Sequence, residues 1–194
     1  MISTTDQLIN HIRKFVLLPD NTAGALQHFF TVHTIRKKEN LVQAGQICRS
    51  HYFVLKGCLR MFYITEKGVE QTMQFGLENW WITDYMSFQN RQQTQYSIQA
   101  VEETDVLSID HSSYEKLLSS HPVLEKYFRV IYQRTTAAAQ VRLKYIYDLS
   151  KEEMYKDFAA RFPDFIQRIP QYLLASYLGC TPEYLSEIRK KIAS

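Results

Sequence analysis

Two stretches near the N-terminus place apolar residues at helical spacing. In the first, positions 8, 9, 12, 15 and 16 are apolar and form one helical face, and Pro19 ends the run. A second short helix is expected after Asp20 and Asn21. Both helices are expected to pack on the segment that follows.

From about residue 30 to residue 109 the apolar positions recur at every second residue, which predicts strands with one buried side. The clearest case is TQYSIQA, whose apolar positions are Tyr96, Ile98 and Ala100. In VEQTMQF we expect one buried face formed by Val69, Met73 and Phe75. The turn signals between strands are Ala44-Gly45-Gln46, Lys56-Gly57, Glu66-Lys67-Gly68 and Asn90-Arg91. Many short strands at this spacing predict a sandwich or barrel.

After residue 109 the pattern is helical to the end. A short helix is expected over 112–119, and the stretch 122–149 begins at Pro122 and has no further Pro and no Gly. A helix of that length spans roughly 40 Å and needs a partner surface. Its near-heptad stripe predicts a parallel pair across a two-fold axis, the alternative being a helix that lies on its own domain. The expected dimer contacts are Leu124, Tyr127, Ile131, Ala138, Val141 and Tyr145.

Composition and charge narrow the class of protein. The hydrophobic share of 45% is that of a globular chain, and the sequence has no apolar run long enough for a membrane span, so we expect a cytoplasmic protein. The formal net charge is +3, and the excess of Lys and Arg lies after residue 120. This asymmetry is a weak indication of a nucleic-acid partner.

The segment QYLLASYLGCTPEYLSEIRKKI has the pattern of a helix-turn-helix. Ala175 is the small residue where two helices cross, and Gly179 can take the left-handed turn conformation. Pro170 suits the first turn of the first helix, while Thr181 is an N-cap followed by Pro182. The residues expected between the helices are Leu174, Leu178, Cys180, Leu185 and Ile188.

The second helix of this motif carries the candidate DNA-binding residues. Those expected at the major groove are Thr181, Pro182, Glu183, Tyr184, Ser186 and Glu187. The residues expected at phosphates are Arg189, Lys190 and Lys191. Cations at a helix C-terminus also stabilise the helix, and both roles can hold together.

The order of strands, long helix and terminal helix-turn-helix resembles the Crp/Fnr superfamily, which includes the cyclic-AMP receptor protein and the fumarate–nitrate regulator. RKKENLVQAGQICRSHYFVLKGCLRMFY resembles the early strands of its cyclic-nucleotide-binding roll, and RIPQYLLASYLGCTPEYLSEIRKKI resembles the compact ending of members from Bacteroidetes. The resemblance implies an α+β fold with an N-terminal double-stranded β-roll, a long dimerisation helix and a C-terminal helix-turn-helix with a reduced wing. The expected domains are a sensor at 1–120, a dimerisation helix at 121–149 and a DNA-binding domain at 150–194.

The same resemblance implies a homodimer that binds double-stranded DNA and regulates transcription, with RNA polymerase as a further partner. Nucleotide-binding members hold the ribose with a Gly-Glu pair and the cyclic phosphate with a later Arg-Ser or Arg-Thr. Here Glu78 is displaced from the Gly-Glu pairing, and Thr94-Gln95 stands at the Arg-Ser position. A buried phosphate without a cation is costly, so we expect no binding of cyclic AMP.

Another small effector, or none, is expected in its place. Arg91 is an alternative cation if the loop shifts, and Trp80 and Trp81 either line an apolar effector pocket or serve as one core and one interface residue. The candidate effector pocket is Glu78, Trp80, Trp81, Arg91, Thr94 and Gln95.

The sequence gives no indication of a cofactor, a metal site or catalysis. The three cysteines do not form a cluster-binding array, haem through His111 or His121 is not expected, and the His-x-His pair of a cupin-like enzyme is missing. The main alternative function is a protein-interaction adaptor that keeps the fold without binding DNA. Glu183 and Glu187 on the predicted reading helix are the reason to consider it.

Overall fold

The computed structural model describes residues 5–193. Residues 1–4 and residue 194, which fall in the predicted sensor and DNA-binding domains, lie outside that range. The strands are β1 (Thr31–Ile35), β2 (Asn40–Val42), β3 (Ser50–Lys56), β4 (Leu59–Ile64), β5 (Glu70–Gly76), β6 (Trp81–Ile82), β7 (Ser97–Ala100) and β8 (Thr104–Asp110). The helices are α1 (Asp6–Arg13), α2 (Asp20–Leu26), α3 (Tyr85–Asn90), α4 (His111–Ser120), α5 (Val123–Asp148), α6 (Lys151–Arg161), α7 (Pro163–Arg168), α8 (Gln171–Leu178) and α9 (Pro182–Ala193).

The strands form two four-stranded sheets, in the orders β1-β8-β3-β6 and β2-β7-β4-β5. Alternation places Val54 and Val106 of the first sheet in one apolar cluster with Leu59 and Ile98 of the second. Strands separated in sequence are neighbours in each sheet, as in a double-stranded roll. The α+β fold with an N-terminal β-roll, a long helix and a helical C-terminal part is confirmed.

A second core lies on the opposite face of the first sheet. Phe53 and Leu107 point there, because they alternate with residues that face into the roll, and they pack against α1, α2, α4 and the start of α5. Leu8 and Ile12 are buried in this core, which confirms the packing expected for the first helix.

The chain divides into two compact units. One comprises the chain up to Tyr63 together with Gln74–Gln133, and the other comprises Ile64–Met73 and the residues from Arg134 onward. The tip of the β4–β5 hairpin therefore belongs to the same unit as the C-terminal helices. Helix α5 begins in the first unit and ends in the second.

The buried residues of VEQTMQF differ from those expected from the sequence. Val69 and Met73 are exposed, whereas Thr72 and Phe75 are buried. The Thr72 amide donates a hydrogen bond to the Ser176 hydroxyl of α8, so Thr72 is buried by contact with a helix. Phe75 is buried as expected.

The second unit has its own small core and clear helix boundaries. Helix α6 begins with a capping box in which the Ser150 side chain accepts a hydrogen bond from the Glu153 amide and the Glu153 carboxylate accepts one from the Ser150 amide. The ring of Phe158 lies 5.5 Å from the rings of both Phe165 and Tyr177, measured between centroids. These contacts support α8, the first helix of the predicted DNA-binding motif.

Candidate DNA-binding site

Helices α8 and α9 are joined by a three-residue turn whose geometry explains its sequence. Gly179 has φ 71° and ψ 43°, the left-handed conformation that a side chain would resist. The Thr181 hydroxyl accepts a 3.2 Å hydrogen bond from the Tyr184 amide and caps α9, which begins at Pro182. Pro170 precedes α8 as its N-cap and does not lie in its first turn, one position earlier than expected.

The two helices are held by a tight apolar contact. Ala175 and Leu185 are completely buried, and Leu178 and Ile188 nearly so. The small side chain at Ala175 lets the helices cross closely, as the sequence predicts. Cys180 is only partly buried, and its backbone amide donates a 3.0 Å hydrogen bond to the Ala175 carbonyl.

The side of α9 away from this contact is open to solvent. Because Leu185 and Ile188 turn inward, the intervening residues must turn outward. The exposed members of the predicted set are Thr181, Pro182, Glu183, Tyr184, Glu187, Lys190 and Lys191, and the partly exposed ones are Ser186 and Arg189. An exposed helix face on a buried two-helix support is what a major-groove reader requires.

The three basic residues at the end of α9 have different surroundings. Lys191 Nζ lies 2.7 Å from a Glu152 carboxylate oxygen, and Lys156 of α6 lies 2.7 Å from the other oxygen of the same carboxylate. The two cations lower the pKa of Glu152 to about 2, and Glu152 raises the pKa of Lys191. Lys191 therefore ties α9 to α6, a contact that competes with the phosphate role predicted for it.

Arg189 and Lys190 line a shallow groove of about 280 Å³ together with Gln171 and Ser186. Gln171 is the first residue of α8, and sequence reasoning missed it. The signal was present, because Pro170 marks the start of the helix and the first turn of a helix carries unpaired backbone amides that attract anions. The groove combines two cations, an amide and a hydroxyl, a donor set that suits a phosphate.

The fold implies a cyclic nucleotide in the β-roll, and the cassette residues do not fit one. Thr94 is buried, and its hydroxyl donates a 2.5 Å hydrogen bond to Asp84 Oδ2. The other oxygen of Asp84 accepts hydrogen bonds from the amides of Met86 and Ser87 and caps α3. The carboxylate is thus occupied by the protein itself, and Arg91, the alternative cation, is exposed in a left-handed conformation at the end of α3.

The remaining residues of the predicted effector pocket have separate environments. Glu78 accepts a 2.8 Å hydrogen bond from the Gly57 amide at a turn, and Gln95 is exposed. Trp80 is 45% exposed, whereas Trp81 is 5% exposed and its indole nitrogen donates to the Tyr127 hydroxyl. Trp81 is a core residue and does not line an open pocket.

The residues predicted at the dimer seam lie on more than one face of α5. Leu124, Tyr127 and Ile131 are buried in the core of the first unit, so the predicted stripe is wrong in its first half. Ala138 and Val141 are exposed. Tyr145 is partly covered by Arg161, whose guanidinium donates to its hydroxyl.

No three His, Cys, Asp or Glu side chains among residues 5–193 come together as a metal site. Within the same range no helix is both long enough and apolar enough to cross a membrane. His111 and His121, the candidates considered for haem, lie in unit one at either end of α4.

These features define a class of protein, in which a β-roll is followed along the chain by a long helix and a C-terminal helix-turn-helix, and known proteins share this order of elements. Residues 32–121 match the cyclic nucleotide-binding domain family. FixK2 from Bradyrhizobium japonicum is similar in structure, with a TM-score of 0.70, 17% identity, and coverage of 84% of each chain. A putative transcriptional regulator of the Crp/Fnr family from Eubacterium rectale has a TM-score of 0.71 and 15% identity, with 91% of this chain and 84% of that chain covered.

The c-di-GMP-responsive global regulator CLP from Xanthomonas campestris has a TM-score of 0.69 and 12% identity, with 90% of this chain and 92% of that chain covered. No curated protein is similar enough in sequence to be matched. The β-roll thus contains the segment that matches the cyclic nucleotide-binding domain family, and the chain shares its fold with these solved structures.

Proposed function

We propose that this protein is a sequence-specific, homodimeric DNA-binding transcriptional regulator of the cytoplasm. The observation that carries the proposal is the exposed face of α9 above its buried contact with α8. No buried side chain has to move before this face can enter a major groove. The Crp/Fnr fold supports the same function.

In this proposal the residues of the site divide between base reading and phosphate binding. Glu183, Tyr184 and Glu187 lie on the exposed early turns of α9 and reach base edges, where a carboxylate accepts a hydrogen bond from cytosine N4. Arg189 and Lys190 bind backbone phosphate in the groove that they share with Gln171. Specificity and affinity are thereby carried by different turns of one helix.

We further propose that the β-roll works without cyclic AMP. Thr94 is uncharged where a cyclic phosphate needs a cation, and its hydroxyl already donates to Asp84. The dimer is proposed to form through the exposed part of α5 that contains Ala138 and Val141, since small and β-branched side chains allow close helix pairing. RNA polymerase remains a proposed partner.

The test is selection of bound sequences from random duplex DNA by the purified full chain at 100 mM salt. A palindrome with half-sites about one helical turn apart is expected, because a two-fold dimer presents two copies of α9. An Arg189→Ala/Lys190→Ala variant should bind the selected sequence more weakly and with a shallower salt dependence. Recovery of no enriched sequence at any salt would contradict the proposal.

A second candidate is a protein-interaction adaptor with the same fold. It is favoured by two exposed carboxylates, Glu183 and Glu187, on the face that would meet DNA, and by the ion pair that occupies Lys191. An adaptor would show no salt-dependent binding to duplex DNA, whereas the regulator would lose affinity steeply as salt rises.

A further inference from the structure

The outer edge of strand β5 is hydrogen-bonded to the first helix of the helix-turn-helix. The Ser176 hydroxyl accepts a 2.8 Å hydrogen bond from the Thr72 amide and donates a 2.7 Å hydrogen bond to the Glu70 carbonyl. The Gln71 side-chain amide donates to the Ser176 carbonyl. All of these residues belong to the second unit.

Arg142 of α5 takes part in the same contact, which we call the joint and define as the hydrogen bonds among residues 70–73 of β5, Arg142, Ser176 and Tyr177. Its guanidinium donates to the carbonyls of Met73, Thr72 and Tyr177, the last at 2.9 Å. It also lies over the Tyr177 ring, with Cζ 3.9 Å from the centroid. One side chain thus connects the hairpin tip, the long helix and α8.

Strand β5 is the last strand in its sheet, so its outward backbone groups have no strand neighbour among the described residues. Such groups normally bind water, and charged side chains or a bulge keep other strands from pairing with them. Here the Ser176 hydroxyl replaces a neighbouring strand, because it accepts a hydrogen bond from one backbone amide of β5 and donates one to a backbone carbonyl of β5. Thr72 is 0% exposed. Loss of this partner would leave a buried backbone amide without a hydrogen bond and would lower the free energy of unfolding.

We propose that Ser176 and Arg142 are positioning residues for DNA binding, which hold α8 against the edge of β5. The proposal rests on the proposed function as a DNA-binding regulator. The side of α9 that carries Glu183, Tyr184 and Glu187 is exposed while the joint is intact, so the joint is compatible with bound DNA. Fixing α8 removes freedom that the motif would otherwise lose on binding, and this raises affinity without a new DNA contact.

Backbone hydrogen exchange in the full chain tests the joint without DNA. In Ser176→Ala the Thr72 amide should exchange about tenfold faster than in the wild type, because one hydrogen bond is lost. Ser176→Thr keeps a hydroxyl and should restore protection. Thr136→Ala, which removes an exposed hydroxyl from α5 in the same unit, is the matched control and should leave Thr72 unchanged. Equal exchange in wild type and Ser176→Ala would overturn the proposal.

Titration of the selected duplex tests the positioning role. Ser176→Ala and Arg142→Lys should each weaken binding by about three- to tenfold, since each weakens the hydrogen bonding that holds α8 against β5, and Ser176→Thr should bind like the wild type. The slope of log affinity against log salt should not change, because no phosphate contact is lost. Arg142→Gln removes the charge, so a shallower slope for this variant would mean that Arg142 binds DNA directly and would overturn its positioning role.

The remaining outcomes separate this inference from the function on which it rests. Faster exchange at Thr72 with unchanged DNA affinity would show that the joint exists but does not position the motif, which overturns the inference alone. A wild type that binds no duplex overturns the proposed function and the positioning role together.

Discussion

The indole nitrogen of Trp81 donates a 2.8 Å hydrogen bond to the hydroxyl of Tyr127, and His11 Nδ1 lies 2.8 Å from the same oxygen. Strand β6, helix α5 and helix α1 therefore meet at one buried oxygen atom. Burial raises the pKa of Tyr127, so the group stays a neutral hydroxyl. This contact fixes the start of α5 on the β-roll.

Tyr127→Phe should lower the free energy of unfolding by about 1–3 kcal/mol, because Trp81 and His11 lose a buried partner. Urea denaturation measures the change. Tyr147→Phe is the matched control, since Tyr147 is 80% exposed and its substitution should cost less than about 0.5 kcal/mol. Equal stability of the two variants would mean that the hydroxyl contributes nothing.

His51 should make stability depend on pH. It is 1% exposed, it stacks on Phe88 with ring centroids 4.7 Å apart, and neither ring nitrogen has a hydrogen-bond partner among the described residues. Burial lowers the pKa of His51 from 6.5 to about 3. Between these two pKa values the His51 imidazole binds a proton in the unfolded chain but stays neutral in the folded protein.

The His51 contribution is therefore complete above about pH 6.5 and is lost as pH falls toward 3, at up to about 1.4 kcal/mol per pH unit. His51→Phe should flatten the fall in unfolding free energy between pH 6.5 and pH 4. His28→Phe, at an exposed position, should leave it unchanged. If His51→Phe keeps the wild-type slope, another group carries the acid sensitivity.

Cyclic AMP and cyclic GMP should bind with millimolar affinity or weaker, roughly −4 kcal/mol or less favourable. The reason is that the Thr94 hydroxyl, which is uncharged and already donates to Asp84, stands where a cyclic phosphate needs a cation. Isothermal titration calorimetry of the full chain measures the affinity. Micromolar binding would contradict the prediction, and its loss in Arg91→Ala would identify Arg91 as the cation.

Val141→Asp should yield monomers that bind the operator weakly, because a charge would be buried unpaired at the helix pair. Sedimentation velocity reports the oligomeric state, and Val141→Leu is the control that should remain dimeric. Ile131→Asp is expected to unfold the first unit, since Ile131 is part of its core. A Val141→Asp protein that stays dimeric would place the seam on another face.

Glu187→Ala should relax preference at one base pair in each half-site by about 1–3 kcal/mol if the carboxylate reads a base. Binding profiles of wild type, Glu187→Ala and Glu187→Arg across single-base substitutions measure this change. A uniform change at all positions would instead indicate that Glu187 acts on a neighbouring side chain or on phosphates.

Features set by local sequence could be predicted, and features set by distant contacts could not. Gly179 and Thr181 are determined by the turn that they form, so the helix-turn-helix and the N-cap of α9 follow from spacing alone, whereas Pro170 lies one position earlier than expected. The stripe on α5 was also visible, but spacing cannot say whether an apolar face meets its own roll or a second chain. Leu124 meets the roll and Val141 meets solvent.

The cassette shows the same limit. The missing Arg-Ser pair is a local feature and could be recognised, whereas the partner of Thr94 could not. Asp84 lies ten residues earlier, and α3 with its following loop brings the two side chains together. The groove at Gln171 depends likewise on the crossing of two helices.

The ion pair between Lys191 and Glu152 has a consequence for how DNA affinity responds to salt. A Lys191 ammonium that moves to a phosphate must first leave the Glu152 carboxylate, which keeps Lys156 as its other partner. Salt screens the ion pair as well as the phosphate contact, so the competition from Glu152 is strongest at low salt and weakens as salt rises. Glu152→Gln removes this competition, so its gain in DNA affinity over the wild type should be largest at low salt and appear as a steeper salt slope.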